Sequence, residues 1–181
     1  MPDRQTARLR FGRVSTQGAT YFITLCTKDR APVLLQPATA REVHKVLQSM
    51  HDSGDFALIA ATIMPDHVHL LLTLGCRLKV GQVMGKFKTK SRKQGKTGWR
   101  WQEDGFEHRL RTTESIEDYG FYIFMNPYRA RLCPLTAPWQ WWLCPQPSVF
   151  RFLGALDQKQ VVPAAWLDLS DQVAARITTR D

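Results

Sequence analysis

A chain of 181 residues is long enough for one domain with a proper core and too short for two. With 44% apolar and 23% charged residues it has the make-up of a globular protein, and no repeat or low-complexity tract interrupts it. A net charge of +9 and a pI near 9.7 favour polyanionic partners over acidic or neutral ones. The basic opening residues lack an apolar run, and no stretch nears the roughly 18 apolar residues of a membrane span, so a cytoplasmic, nucleoid-associated protein without a membrane partner is expected. Cys26, Cys76, Cys133 and Cys144 lie far apart with no Cys-x-x-Cys spacing, which indicates neither a zinc knuckle nor a disulfide framework.

In chain order, residues 4–13 are basic and are expected to be an irregular arm in which Arg10 is a candidate phosphate contact. Residues 20–27 alternate aromatic and β-branched side chains and predict a strand. Residues 38–53 predict a helix, with Val43, Val46, Leu47 and Met50 at helical spacing and Gly54 as the stop. Residues 56–64 and 67–74 predict two further strands joined through Pro65-Asp66. Residues 80–94 predict a strongly basic helix, and residues 99–112 a strand or hairpin. Thr113 or Ser115 can cap a third helix whose early acids, Glu114, Glu117 and Asp118, suit the positive end of its dipole. Pro127 is expected to kink or end that helix at Asn126. A Trp- and Pro-rich stretch follows, then a short helix over 164–177. This order predicts an α+β fold, a ferredoxin-like α/β sandwich whose central antiparallel sheet carries helices packed on it. The expected organisation is one domain over 1–133 with an extension over 134–181 packed on it.

The positive charge is localised: residues 77–111 hold eleven lysines and arginines against three acids. Lys86, Lys88, Lys90, Arg92 and Lys93 lie on the basic helix, and Arg109 and Arg111 follow it. Interleaved aromatics, Trp101 among them, favour single-stranded nucleic acid, whose bases stack on such rings.

The most informative stretch is Pro65-Asp66-His67-Val68-His69. Along a strand, Val68, Leu70, Leu72 and Leu74 point one way and His67 and His69 the other. Two neutral imidazoles on one face are natural ligands for a divalent cation. On the third helix Tyr122 and Asn126 share a face, with Tyr119 one turn earlier as the fallback nucleophile. A phenol, an amide and a two-histidine cation site, brought together, suit phosphodiester chemistry assisted by Mg²⁺ or Mn²⁺. The phenolate would attack phosphorus and release a 3′-hydroxyl, and no phosphate-binding glycine loop is needed.

Met64-Pro-Asp-His-Val-His-Leu-Leu-Leu72, the basic helix, Trp101-Gln102, His108-Arg-Leu-Arg111 and Tyr122-Ile-Phe-Met-Asn-Pro-Tyr-Arg-Ala130 together resemble the REP-associated tyrosine transposases, of the single-tyrosine HUH family of single-strand DNA transposases. Tyr21-Phe-Ile-Thr-Leu-Cys-Thr-Lys-Asp-Arg30 is similar to that family's first strand, so the resemblance spans residues 8–132. It implies metal ligation by His67, His69 and Asn126, nucleophilic attack by Tyr122, and phosphate contact by His108 beside Arg109 and Arg111. It also implies binding of palindromic hairpins in single-stranded DNA, the repeated extragenic palindromes, by a monomer or homodimer that cuts and rejoins strands through a 5′-phosphotyrosine. Where the family shows a Trp-Ser-Ser-type ending, this chain has Trp139-Gln-Trp-Trp142.

Three rival functions are weaker. An amidohydrolase barrel needs about 250 residues and more histidines. An RNA-recognition sheet wants aromatics where the histidines stand. A domesticated, non-catalytic hairpin binder is the runner-up, disfavoured because each expected site residue is present.

Overall fold

The computed structural model describes residues 15–93 and 98–178. The basic arm with Arg10 lies outside the described residues, and Lys93 is described only as the last residue of its helix.

The strands are β1 (Thr20–Cys26), β2 (Phe56–Ile63), β3 (His67–Leu74), β4 (Phe106–Arg109) and β5 (Trp142–Leu143). They form one antiparallel sheet in the order β4-β1-β3-β2-β5. The first four reproduce the predicted ferredoxin-like arrangement, and β5 adds a short outer rung. β3 sits at the centre, paired along its full length to β1 and β2, so it is buried on both sides except near its ends.

One face of the sheet is covered by α1 (Pro37–Asp52) and α2 (Val80–Lys93). α1 starts with Pro37 at a position where the missing N–H costs nothing. It buries Ala40, Val43, Val46, Leu47 and Met50 along one stripe. Gly54, at φ 70°, then turns the chain in a conformation that side chains resist. Val68, Leu70, Leu72 and Leu74 meet this layer and are essentially fully buried. Each contributes about 1.5–3 kcal/mol of apolar burial.

The opposite face carries Phe22, Ala60 and Leu71, and it is covered by α3 (Ile116–Arg129) together with the C-terminal segment. Ser115 caps α3 by accepting from Asp118 N (3.4 Å). Of the two expectations for Pro127, a kink or an end, the end is corrected: α3 continues to Arg129 with Pro127 buried inside it. Proline removes a single helical bond there. The last turn is held instead by Ala130 N to Asn126 O (3.0 Å) and Leu132 N to Pro127 O (2.9 Å).

Phe150 and Phe152, the latter in α4 (Arg151–Gly154), and Val173 and Ile177 of α5 (Ala165–Thr178) complete this second apolar layer. A Cβ on Gly120 of α3 would fall on the Phe150 ring, so only glycine allows this approach. No helix among the described residues is long and apolar enough to cross a membrane.

Candidate active site

The site lies on the α3 side of the sheet, at the start of its central strand. Alternation along β3 turns His67 and His69 to this face, away from the aliphatic set. Their Nε2 atoms are 3.1 Å apart, and each Nδ1 is engaged from behind. His67 Nδ1 donates to Asp66 Oδ1 (2.6 Å). His69 Nδ1 pairs with Thr24 Oγ1 on β1 (2.9 Å), a hydroxyl that can donate or accept.

Asp66 fixes the proton of His67 on Nδ1, because a carboxylate only accepts. Burial alone would raise the Asp66 pKa, but the bond from His67 and the charges of His67 and Arg30 outweigh it and hold the carboxyl below its ordinary value. Burial, joined by the charges of His67 and Arg30, holds His69 well below 6.5. Burial also lowers His67, against the pull of Asp66. Both rings are therefore neutral near pH 7 and present their Nε2 atoms to one point. Bonds of about 2.1 Å suit imidazole and a divalent cation, and nitrogens 3.1 Å apart can share one such ion. The carboxylate and hydroxyl behind the rings are the orienting partners that such ligands require.

Tyr122 comes to the pair from α3. Its half-buried ring lies 5.5 Å from His69, edge-on, and 5.9 Å from Phe22. The Arg129 guanidinium stands 5.8 Å from the Tyr122 ring centre. Asn126, one turn on, donates its amide nitrogen to Tyr122 O (3.2 Å), which leaves its amide oxygen outside that bond. Among the described residues no third His, Cys, Asp or Glu joins the two histidines. Tyr119, the fallback nucleophile, is buried with its hydroxyl bonded to Glu114 Oε1 (3.0 Å).

Several expected DNA contacts are otherwise engaged. Trp101 is 7% exposed, packs on Phe87 and Trp99, and donates to Ser91 Oγ (2.9 Å). It is a core residue, because a bridge to Thr27 folds it under α2 rather than onto the surface. Lys86 pairs with the buried Asp55 (2.5 Å). Lys88 donates to the carbonyls of Gln102 (2.7 Å) and Glu103 (2.9 Å), clamping the loop before β4. His108 donates to Glu114 (2.9 Å) and stacks on Tyr119. Lys90, Arg92, Arg109 and Arg111 remain on the surface, with Arg109 also donating to Thr16 Oγ1 (2.8 Å).

Sequence reasoning missed Thr24, Asp66, Arg30 and Glu114 as site residues. Strand pairing brings Thr24 opposite His69, which no local pattern reveals. Arg30 Nη1 donates to Asp66 Oδ2 (3.2 Å) and lies 3.5 Å from His67 Nδ1. Asp29 and Arg30 both take positive φ, 57° and 54°, a conformation costing a non-glycine residue about 1–2 kcal/mol. The exposed ion pair to Asp66 returns only about 0–1 kcal/mol.

Such a sheet, with paired imidazoles beside a helix-borne phenol, belongs to a recognisable class. Residues 15–106, half of the chain, match the family described as transposase IS200 like, and the chain belongs to that family. The matched region contains both histidines and ends before Tyr122. The chain is also similar to a Haemophilus influenzae protein provisionally named a REP-associated tyrosine transposase, with 23% identity over 144 residues, or 71% of this chain and 81% of that one. Its fold is similar to that of a REP-associated tyrosine transposase bound to a REP hairpin, with a TM-score of 0.58 and 21% identity over 67% of this chain and 73% of that one.

Proposed function

We propose that the protein binds single-stranded DNA hairpins of the repeated extragenic palindrome type and cuts and rejoins strands beside them. The observation that carries this reading is the convergence of two oriented imidazoles, Nε2 to Nε2 3.1 Å, beside the Tyr122 ring, 5.5 Å from His69. His67, His69 and the amide oxygen of Asn126 would hold Mg²⁺ or Mn²⁺. Such a cation supplies charge to offset what builds on the phosphate oxygens and favours ionisation of a phenol.

Tyr122 Oη forms a bond to phosphorus as the bond from phosphorus to O3′ breaks. The phenol's proton leaves to solvent, and the departing O3′ takes one up. The product is a 5′-phosphotyrosine and a free 3′-hydroxyl. A second 3′-hydroxyl reverses the step and releases the tyrosine, so one ester replaces another without nucleotide hydrolysis. Phe22, packed between Tyr119, Tyr122 and His69, keeps the phenol ring upright at the sheet. Lys90, Arg92, Arg109 and Arg111 offer surface charge for the DNA backbone.

The test uses purified protein, Mg²⁺ or Mn²⁺, and a labelled hairpin oligonucleotide with single-stranded flanks. A covalent adduct that survives denaturing electrophoresis is expected from the wild type. Tyr122→Phe should form none while binding within about twofold of wild type, because the hydroxyl serves the chemistry and not the grip. Adduct from that variant would put the nucleophile elsewhere. Binding without any wild-type adduct would leave a hairpin binder.

A further inference from the structure

We infer that Arg30 grips the phosphate at which the strand is cut, acting as a catalytic residue of this site; the inference rests on the strand-transfer reading. The first ground is placement. Arg30 reaches the rim of the histidine pair, with Nη1 3.2 Å from Asp66 Oδ2 and 3.5 Å from His67 Nδ1. It stands at the Nδ1 edge of His67, so the space onto which the Nε2 atoms converge stays open for a cation.

The second ground is backbone. Two successive non-glycine residues, Asp29 and Arg30, sit in the left-handed region, and the exposed ion pair to Asp66 does not recover that cost. The turn is nevertheless firmly held. Thr27 Oγ1 donates its one proton to Ala31 O (2.7 Å) with Asp66 O close by (3.0 Å), and Thr27 N donates to Asp66 O (2.8 Å). Leu34 N adds a bond to Pro65 O (3.0 Å), so the Arg30 turn and the histidine strand entrance move as one unit. A strained turn clamped to a site holds its side chain in place before substrate arrives.

The third ground is capacity. The Arg30 side chain is 57% exposed, and its contact with Asp66 occupies one nitrogen of the guanidinium. A planar fork with remaining donors fits two oxygens of a phosphodiester. Of the side chains joined to the histidine pair, Asp66 is anionic and Thr24 neutral. Arg30 is the cation among them, and phosphoryl transfer calls for positive charge where charge builds.

The experiment separates this contact from the reading beneath it. Binding is measured by fluorescence anisotropy in magnesium buffer, in the Tyr122→Phe background so that no strand is cut. Hairpins carry a single uncharged methylphosphonate at each linkage across the foot in turn. Arg30→Gln should weaken the unmodified hairpin roughly tenfold. At the linkage that wild type cuts, the methylphosphonate should cost Tyr122→Phe a similar factor and add less than about twofold to the Arg30→Gln loss. Full additivity at every linkage, or coupling only at linkages that are not cut, overturns the inference. Loss of all hairpin binding by Tyr122→Phe, or of wild-type adduct, instead removes the strand-transfer reading and this role with it. A second variant guards against a merely structural role. Arg30→Asn suits the left-handed backbone, so it should melt no lower than wild type while losing the same tenfold in binding. A lowered melting temperature that accompanies the binding loss assigns Arg30 to the fold and overturns the contact.

Discussion

Glu114 joins β4 to α3 through a carboxylate whose side chain is 1% exposed. It accepts from Arg111 N (2.6 Å), His108 Nε2 (2.9 Å) and Tyr119 Oη (3.0 Å). Burial, the largest influence, would raise its pKa, but these three donors together pull it below 4.5. A folded-state pKa below the unfolded one means that the group stabilises the protein above 4.5 and ceases to do so as the pH falls through the folded value. Glu114→Gln should thus cost about 1–3 kcal/mol near neutrality, since an amide must turn an N–H toward one of those donors. The difference from wild type should shrink toward zero in urea unfolding run from about pH 7 to about pH 3. A constant difference across that series would show that the charge of Glu114 is not what holds the network. At this scale much was legible. Alternation put the two histidines on one face of their strand, and the resemblance to a known family pointed to Tyr122, whereas Thr24 and Glu114 escaped notice because their partners are set by strand register and by a turn.

At the scale of elements, α2 illustrates how a basic run divides. Its lysines look alike in sequence, yet Lys86 reaches back 31 residues to Asp55, Lys88 caps a loop, and Lys90 faces outward. Charge density marked the helix, but which cations are spent on the fold depends on acids and carbonyls distant in the chain. Lys90→Ala should therefore reduce the salt slope of hairpin binding by about 1 with little change in stability. Lys86→Ala should do the reverse, costing about 1–3 kcal/mol because Asp55 is left buried and less well paired. Anisotropy titrations across a salt series, paired with urea melts, check both; equal slopes for the two variants would contradict the division. The strands and helices of residues 15–93 follow their alternation and periodicity closely. Pro127 and Trp101 departed from expectation for a shared reason: helix ends and aromatic burial are decided by what packs over them.

Across the molecule, the central strand serves two apolar layers at once. The aliphatic side of β3 meets α1 and α2, and its other side meets α3 and the C-terminal segment. Composition announced a single core, but nothing local revealed that the Trp- and Pro-rich segment would close its second face. Layers that share strands should not melt separately. Urea unfolding followed by far-ultraviolet circular dichroism and by tryptophan fluorescence should give coincident single transitions, with Trp101 reporting one layer and Trp166 the other. Two resolved transitions would mean that the faces fold independently.

The seat of Phe150 on Gly120 has a consequence of its own. A ring lodged where a side chain should begin acts like a key in a slot: α3 can neither slide along its axis nor roll without lifting the aromatic out. Tyr122 stands two residues further along the same helix, so its reach toward the imidazoles is calibrated by an absent methyl group on the far side of the rod.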